Sequence, residues 1–586
     1  MALRIRSPFT ASFFSSTTAT VAVDVPGLWP CALNGRGYLL DDKDPGEHVE
    51  RTVPAIKGQA VTTDEPGDRT LNPEGAWRRS RSSWHHGAGQ SYADDDSSDR
   101  FRFRSSKGID VWTRGKLALL LDTSQAHTNA SGALMCSSQG YLYYTDGNTV
   151  YRTDGTTRTA CTGTPAATPT GIASLGASVY VAFGASGSYK ITGTAGSAFV
   201  GATAVSGVGV AKQRILTWNT NTLYDESAGA ATTVYQRTVD TSFAWAAVAD
   251  GVAHIYAAGN SSTQGTIYRI AVVSDGSALG APVVAGRLPE GETVASMFGY
   301  AGILFIGTSK GWRAAAQSSN GDLTIGPLVD LGVSVSSWSA WGQYVYFGWT
   351  NYDGSSTGAG RIDPTVLNDN GTYAYASDLM VTGSGAVAGL AHLGGNLYLG
   401  VTGTGIYKPS TSYVTSGSID GGLFNFGIAD QKLMLGMSVG STGDTVTAYL
   451  SVDEGSFTFV SDSGYNQSGT YFEPRLTLSG DGSSTPVVRS LAMRSFPQAK
   501  NVKNLVSAFV FSNPLYLPEH GRELQFDIDT ARDEIESLWA NKTVTTYQEG
   551  RRSWAVTVED YEFQKTDPTD DGTWQGRMVV KMKVVQ

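Results

Sequence analysis

Between residues 130 and 415 the pattern of hydrophobic and polar positions repeats one unit, two short apolar, aromatic-rich segments separated by a tight turn. Segments of this length, rich in Val, Ile, Leu and Tyr and bounded by Gly or Asp-Gly, are typical of β-strands joined in hairpins. The first segment of each unit lies at residues 140–144, 178–182, 214–217, 253–256, 303–306, 344–347 and 396–399. The second lies at residues 149–152, 188–191, 222–224, 266–269, 311–313, 360–362 and 405–408.

The spacing of these units predicts a β-propeller. Each first segment has a central apolar residue, and these anchors are Leu142, Tyr180, Ile215, Ile255, Leu304, Val345 and Leu397. Successive anchors are 35 to 52 residues apart, close to the period of about 40–50 residues of a four-stranded propeller blade. One blade alone cannot bury both of its faces, so blades stack around an axis until the ring closes. We therefore expect about seven blades within residues 126–424.

Residues 1–125 are predicted to form an N-terminal β segment with a long polar arm. Residues 101–104 alternate as a half-exposed strand, and residues 115–121 are apolar enough for a buried one. Between residues 62 and 100 the chain is rich in Asp, Ser, Arg and Gly, which favours an extended loop. We expect this arm to become ordered only against another subunit.

Residues 425–586 change to strands with strict alternation, such as residues 445–450 and 577–584. One helix is predicted here, with Asp529 or Thr530 as its N-cap. Its apolar stripe consists of Ile528, Ala531, Ile535, Leu538 and Trp539. The sequence as a whole thus predicts an all-β protein: a propeller of about seven blades, an N-terminal β segment, and a C-terminal β-sandwich-like domain that carries one helix.

Composition agrees with this fold and excludes several classes of function. The chain has 70 glycines in 586 residues and only 16% charged residues, as expected for many short strands and tight turns. Its net charge of −10 and the lack of a long basic tract disfavour nucleic-acid binding. No stretch is apolar enough to span a bilayer, and no secretory signal precedes the first strands. We therefore expect a protein that is made in the cytoplasm and reaches an external surface, if at all, by assembly into a particle.

Candidate catalytic and metal sites are few. The cysteines Cys31, Cys136 and Cys161 are too far apart to indicate a disulfide framework or a zinc ribbon. His85 and His86, near the carboxylates of residues 94–96, are the most metal-like cluster. Adjacent histidines lack the i, i+4 geometry of a helical zinc site, so a polar loop is favoured. The sequence therefore predicts no catalytic, cofactor or metal residues, no cofactor, and a protein that is not an enzyme.

Two weaker signals leave alternatives open. Residues 451–457 match the S-x-D-x-G-x-T-W turn of propeller sialidases loosely and only once, outside the repeats. The turns Asp146-Gly147, Asp154-Gly155 and Asp481-Gly482 contain acidic side chains that could bind Ca²⁺, although hairpin turns favour the same pairs.

Aromatic residues are the main candidates for a binding function. The chain has 27 tyrosines and 13 tryptophans, many for a sequence so poor in charge. Aromatic rings make contact surfaces at low entropic cost and stack on sugar rings. Most of them, about two thirds, are expected to fill the interfaces between blades.

Two regions resemble minor tail proteins of siphophages that infect actinobacteria. The first region carries Trp84-His85-His86-Gly87-Ala88-Gly89-Gln90, then residues 99–101, then residues 106–112, and is similar to a pattern that precedes a propeller in that family. The second comprises residues 475–478, 485–491 and 494–497 and is similar to the C-terminal β-domains of the family. The resemblance implies a location in the virion, at the tail tip, but no catalytic residues.

The expected function is therefore that of a structural minor tail protein that contributes to recognition of host-surface glycans. Its expected partners are other phage tail proteins and a glycan of the host cell envelope, and we expect a homo-oligomer or several copies in the tail tip. Two alternatives remain: a propeller glycosidase or lyase that acts on host surface polysaccharide, and a purely structural adaptor subunit.

Overall fold

The structure is a computed structural model and shows two compact units. It describes residues 31–40, 48–52, 77–92, 101–129, 131–200, 203–238, 240–273, 276, 278–352, 354–383, 385–426, 431–460, 467–497, 501–513, 515–517, 522–549, 552–565 and 574–584. One unit comprises residues 58–496, and the other, which we call the terminal unit, combines residues 1–57 with residues 497–586. Among the described residues all regular elements except one helix are β-strands, so the predicted all-β class is confirmed.

Seven antiparallel sheets in the larger unit form a β-propeller, and the strands of each blade follow one another in chain order except in blade 7. Blade 1 consists of Gly132–Ser138, Tyr141–Asp146, Thr149–Thr153 and Arg158–Ala160. Blade 2 consists of Gly171–Leu175, Ser178–Ala182, Ser188–Thr192 and Ala195–Val200. Blade 3 consists of Gly207–Ala211, Arg214–Trp218, Thr222–Asp225 and Thr232–Gln236. Blades 4 and 5 consist of Phe243–Asp250, His254–Ser261, Gln264–Ala271 and Val283–Arg287; and of Val294–Tyr300, Ile303–Thr308, Gly311–Gln317 and Leu323–Ile325, with Val329–Asp330 also paired to the third strand. Blades 6 and 7 consist of Trp338–Trp341, Tyr344–Trp349, Ser356–Leu367 and Tyr373–Thr382; and of Val387–Leu393, Asn396–Val401, Gly405–Tyr413 and Leu121–Thr128.

The ring is closed and matches the predicted period. The first strand of every blade contacts the first strand of the next, and that of blade 7 contacts that of blade 1. All seven anchor residues lie in the second strands of their blades and are buried. Apolar clusters fill the spaces between neighbouring blades, for example Tyr144 of blade 1 against Tyr398 of blade 7. Stacking of blades through such clusters is what makes the seven sheets one body.

Blade 7 takes its outer strand from the beginning of the propeller sequence, which moves the predicted boundary. Leu121–Thr128 pairs with Gly405–Tyr413, so that the two ends of the propeller are joined in one sheet. The propeller therefore spans residues 121–413, whereas residues 126–424 were predicted. The difference arises because the closing strand is largely polar and its partner lies more than 270 residues away, which no local pattern reveals.

The rest of the larger unit is a two-sheet sandwich, which we call the joining module. Its first sheet consists of Thr458–Phe459, Thr445–Val452, Phe472–Ser479, Ser416–Asp420 and Ser105–Lys107, in that order. Its second sheet consists of Trp77–Arg81, Val487–Pro497, Lys432–Thr442 and Gln467–Gly469, and a short hairpin is formed by Ile109–Asp110 and Ala118–Leu119. Leu450 and Leu476 of the first sheet and Met434 and Leu491 of the second share one apolar core. This core continues into blades 5 and 6, where it includes Phe347.

Residues 77–92 belong to the predicted arm, but they pack within the larger unit, which contradicts the prediction that the arm becomes ordered only against another subunit. Trp77–Arg81 is a strand of the joining module and pairs with Val487–Pro497. Trp84 is buried in the core of the joining module. The segment is mostly polar, so its composition did not indicate a strand or a buried tryptophan. The other parts of the predicted arm, residues 62–76 and 93–100, lie outside the described residues.

The terminal unit joins the two ends of the chain in one sheet. In order, its strands are Arg36–Leu40, Cys31–Leu33, Thr545–Glu549, Arg552–Lys565, Trp574–Val584, Asn501–Asn513 and His48–Thr52. Leu39 also pairs with Val510, which links the first strand of this order to Asn501–Asn513 and closes six strands into a ring. Leu515–Leu517 and Arg522–Leu524 form a separate hairpin. The predicted boundaries at residues 125 and 424 differ from this division because strands from both ends of the chain share sheets.

The helix of the terminal unit, Ile528–Asn541, is capped two or three residues earlier than predicted. The side chain of Asp527 accepts a hydrogen bond from the backbone N–H of Thr530, so Asp527 is the N-cap rather than Asp529 or Thr530. Four residues of the predicted stripe are buried, whereas Trp539 is 40% exposed. The buried stripe packs against the strands of the same unit, including Phe509 and Val556.

Candidate functional site

The Trp84–Gln90 segment forms the joint between the joining module and blade 6. The backbone N–H of Ala88 donates to the carbonyl of Tyr375, in the outer strand of blade 6, at 2.7 Å. On its other side the segment pairs with Phe103, whose N–H donates to the carbonyl of Gly87 at 3.0 Å. Backbone hydrogen bonds in both directions make this segment an integral layer of the fold.

Gly87 is the closest point of this joint. Its φ is +83°, and a Cβ built there would lie 2.4 Å from the backbone nitrogen and 2.6 Å from the carbonyl oxygen of Tyr375. Both the left-handed conformation and the close approach require glycine. The glycine therefore sets how near the joining module lies to the propeller.

The adjacent histidines support the joint. His85 Nδ1 is 2.8 Å from the hydroxyl of Ser83, and His86 Nδ1 is 3.1 Å from the side-chain oxygen of Asn368 in blade 6. Burial lowers the pKa of His85 to about 4 and also lowers the pKa of His86, so both rings are neutral at neutral pH. Among the described residues no group of three or more His, Cys, Asp or Glu side chains is placed to hold a metal. The carboxylates of residues 94–96 lie outside the described residues.

Arg361 lies at the centre of a second contact between the joining module and blade 6. Its guanidinium is 5.4 Å from the ring of Trp112 in the joining module, and 5.0 Å and 5.5 Å from the rings of Tyr344 and Tyr346. It also forms an ion pair with Asp378, whose side chain is 7% exposed. A guanidinium between aromatic faces and a carboxylate is bound by cation–π attraction and by charge at once.

From Arg361 a continuous row of rings leads to the surface, and we call it the aromatic ladder. Tyr346 contacts His392 of blade 7 with ring centroids 5.1 Å apart. His392 in turn stacks on Trp341 with centroids 5.4 Å apart and planes 15° apart. Trp341 is 52% exposed and lies at the turn between the first two strands of blade 6. The ladder thus ends in an indole ring that solvent can reach.

His392 is fixed within the ladder and uncharged. Its Nδ1 is 2.8 Å from the hydroxyl of Ser339, in the first strand of blade 6. Burial lowers the pKa of His392 to about 4, with a further contribution from the positive charge of Arg361. The ring therefore provides a neutral imidazole beside Trp341 at neutral pH.

Other buried charges in the larger unit have structural partners. Glu292 accepts two hydrogen bonds from Arg313 at 2.8 Å, and Glu473 accepts one from Arg104 at 2.7 Å. A pocket beside Trp84 in the joining module is lined by Arg79, which lies over the ring of Phe424 at 4.8 Å.

In the turns considered for Ca²⁺, the side chains of Asp154 and Asp481 accept hydrogen bonds from backbone N–H groups two and three residues later. These carboxylates thus stabilise their own turns.

Glu226 is a buried carboxyl group between blades 2 and 3, and it leads to a prediction. Its Oε2 accepts a hydrogen bond from Ser188 at 2.6 Å, whereas Oε1 has no partner among the described residues. Burial raises the pKa of Glu226, so the folded state holds this proton more tightly than the unfolded chain does. Stability should therefore fall as the pH rises from the ordinary carboxylate range through the raised pKa.

Glu226→Gln should remove this part of the pH dependence, because the amide keeps the size of the carboxyl and cannot ionise. The thermal midpoint of the variant relative to the parent should rise between pH 4.5 and pH 8, and scanning calorimetry across that range measures it. Equal slopes for the two proteins would show that folding does not raise the pKa of Glu226, which would contradict this prediction.

The sequence singled out residues of the joint without predicting the joint itself, and it missed the ladder. Trp84 and the two histidines were singled out, and the structure brings them together with Asn368 and Tyr375 of blade 6. Trp341 was one tryptophan among 13. A usable signal was its place directly before the Gly342-Gln343 turn, where a hairpin presents its side chains to solvent. All three cysteines lie in described parts of the chain and are free.

Comparisons with known proteins concern the propeller. No family model matches the chain, and no curated protein matches it. A streptogramin B lyase structure matches with a TM-score of 0.38 and 14% identity over 50% of this chain and 98% of that one. The WD40 β-propeller domain of Doa1 matches with a TM-score of 0.36 and 8% identity over 50% of this chain and 97% of that one. BamB from Moraxella catarrhalis matches with a TM-score of 0.31 and 12% identity over 50% of this chain and 96% of that one. At such identities the likeness concerns the fold alone.

No helix among the described residues is long and apolar enough to cross a membrane.

Proposed function

We propose that this chain is a structural minor tail protein of a bacteriophage, located at the tail tip, that contributes to recognition of host-surface glycans. The observation that supports the proposal is the contact that the Trp84–Gln90 segment makes between the joining module and blade 6. Residues that resemble the minor tail proteins, Trp84 to Gln90, bind the joining module to blade 6 through backbone hydrogen bonds. Such a segment serves to build a rigid multi-part body.

The buried charges favour a scaffold over a catalyst. Asp378, Glu292 and Glu473 are each paired with an arginine, and Glu226 is bound by a serine hydroxyl. General acid–base catalysis needs carboxyl groups that face the substrate and exchange protons with it. These four carboxyl groups are engaged in holding blades and sheets together.

The exposed end of the ladder supports the recognition part of the proposal. Rigid aromatic side chains on a β scaffold are a common means of binding, because little conformational entropy is lost on contact. The proposed partners are other tail proteins and a glycan of the host envelope. Several copies in the tail tip would multiply weak individual contacts.

Purified particles test this function. Quantitative mass spectrometry of gradient-purified virions of the phage that encodes the chain should detect it at a fixed ratio to the major tail protein. Labelling with antibody against the propeller should place it at the tip in electron micrographs. Absence from particles that retain infectivity would contradict the proposal. Antibody that binds the tip without slowing adsorption would favour a purely structural adaptor.

A further inference from the structure

Trp341 is an exposed tryptophan whose side chain is held in place by its neighbours. Of the tryptophans whose side chains are described, only Trp341 and Trp539 are exposed. Scattered apolar residues on a surface are common. Trp341, however, is fixed: one face stacks on His392, and the Gly394-Gly395 turn lies at its edge, where a Cβ on Gly395 would be 3.7 Å from Cζ2. Even so, Trp341 is 52% exposed.

The turn that carries Trp341 is supported from both neighbouring blades. The hydroxyl of Tyr300, in blade 5, donates to the carbonyl of Gly342. On the other side, Ser339 is bonded to His392 of blade 7. The indole is thus presented by a turn that is tied to three blades. A ring ordered in advance loses little conformational entropy when a ligand stacks on it.

The polar groups nearby are uncharged or already neutralised. His392 Nε2 has no protein partner among the described residues, and the ring is neutral at neutral pH. Arg361 is occupied by Asp378 and by three aromatic rings. The site therefore offers an aromatic face that is supported on its other side by an uncharged imidazole, with no free cation among these side chains to attract an anion.

We propose that Trp341 is the stacking platform of a subsite for a neutral sugar residue, with His392 supporting the indole from its opposite face. A pyranose or furanose has one face of C–H groups, which packs on an aromatic ring without needing a charged partner. An acidic sugar would lack a counter-charge here. This inference rests on the proposed function only for where the sugar comes from, namely the host envelope.

The test uses the purified full chain and an array of defined neutral and acidic oligosaccharides, followed by calorimetry with the strongest neutral binder. Trp341→Ala should weaken binding about tenfold or more, because the stacking surface is lost. Trp341→Phe should retain binding within about threefold, because a smaller ring still stacks. Trp539→Ala is the matched control: it removes another exposed tryptophan, in the terminal unit, and should leave the affinity unchanged.

Affinity should also be constant between pH 5.5 and pH 8, because His392 titrates below this range. Thermal midpoints of the variants confirm that they are folded. Equal affinity of Trp341→Ala and the parent would overturn the inference, as would retention of acidic oligosaccharides alone. Equal weakening by Trp341→Ala and Trp539→Ala would overturn it too.

The same data separate this inference from the proposed function. Neutral-glycan binding by the purified chain, with no chain in the virions, would leave the subsite standing and contradict the tail-tip role. Presence in virions together with no glycan binding would overturn the subsite and leave the structural role intact.

Discussion

Replacing Gly87 with alanine should destabilise the joint between the joining module and blade 6 by about 3 kcal/mol. Two costs add. An L-residue at a φ of +83° is strained, and its Cβ would lie 2.4 Å from the nitrogen of Tyr375, so the segment must move outward. That movement weakens the hydrogen bond between the N–H of Ala88 and the carbonyl of Tyr375. Hydrogen exchange followed by mass spectrometry should show faster exchange in the peptides of residues 84–90 and 373–382.

Gly176→Ala is the matched control. Gly176 also has a positive φ, of +58°, in a hairpin turn of blade 2, but nothing lies within 4 Å of the position that a Cβ would occupy. The control should therefore cost only the conformational strain, about 1 kcal/mol, and exchange at the joint should not change. If the two variants lost the same stability, contact with Tyr375 would not be what requires glycine at residue 87.

The sequence predicted the centre of each blade and missed its edges, for a physical reason. The second strands are buried on both faces over most of their length and are therefore rich in apolar and aromatic residues, and all seven anchors lie in them. Fourth strands are more exposed, except for Tyr373–Thr382 of blade 6, which is mostly buried; Arg158–Ala160 of blade 1 is exposed throughout. The closing strand Leu121–Thr128 is likewise mostly polar. A strand specified by a distant partner rather than by its own pattern leaves little local signal.

Pairing with distant partners also explains why the sequence did not predict that the two ends of the chain share one sheet. Cys31–Leu33 pairs with Thr545–Glu549, so the terminal unit depends on contacts between residues more than 500 positions apart. The helix, by contrast, has a local 3.6-residue period and was located from its stripe, although its cap was placed two or three residues too late. The ladder also has no local signal, because it assembles Tyr346, Arg361 and His392 from separate parts of the chain.

Replacing Arg361 with methionine should cost about 3–5 kcal/mol, the other large effect expected in this protein. Methionine is similar in length and keeps some of the packing against Trp112, Tyr344 and Tyr346, but it cannot neutralise Asp378. That carboxyl is 7% exposed and would remain buried without its counter-ion. Urea unfolding gives the loss of stability, and hydrogen exchange in blade 6 shows where it arises.

A double substitution separates charge from packing. Arg361→Met combined with Asp378→Leu removes both charges and fills the space with apolar groups, so its stability should return to within about 1 kcal/mol of the parent. Asp250→Asn is the control for an exposed ion pair: Asp250 is 53% exposed and 3.4 Å from Lys212, and its loss should change stability by less than about 0.5 kcal/mol. Should the double variant be no more stable than Arg361→Met alone, the cation–π contacts rather than the unpaired carboxylate would account for the cost.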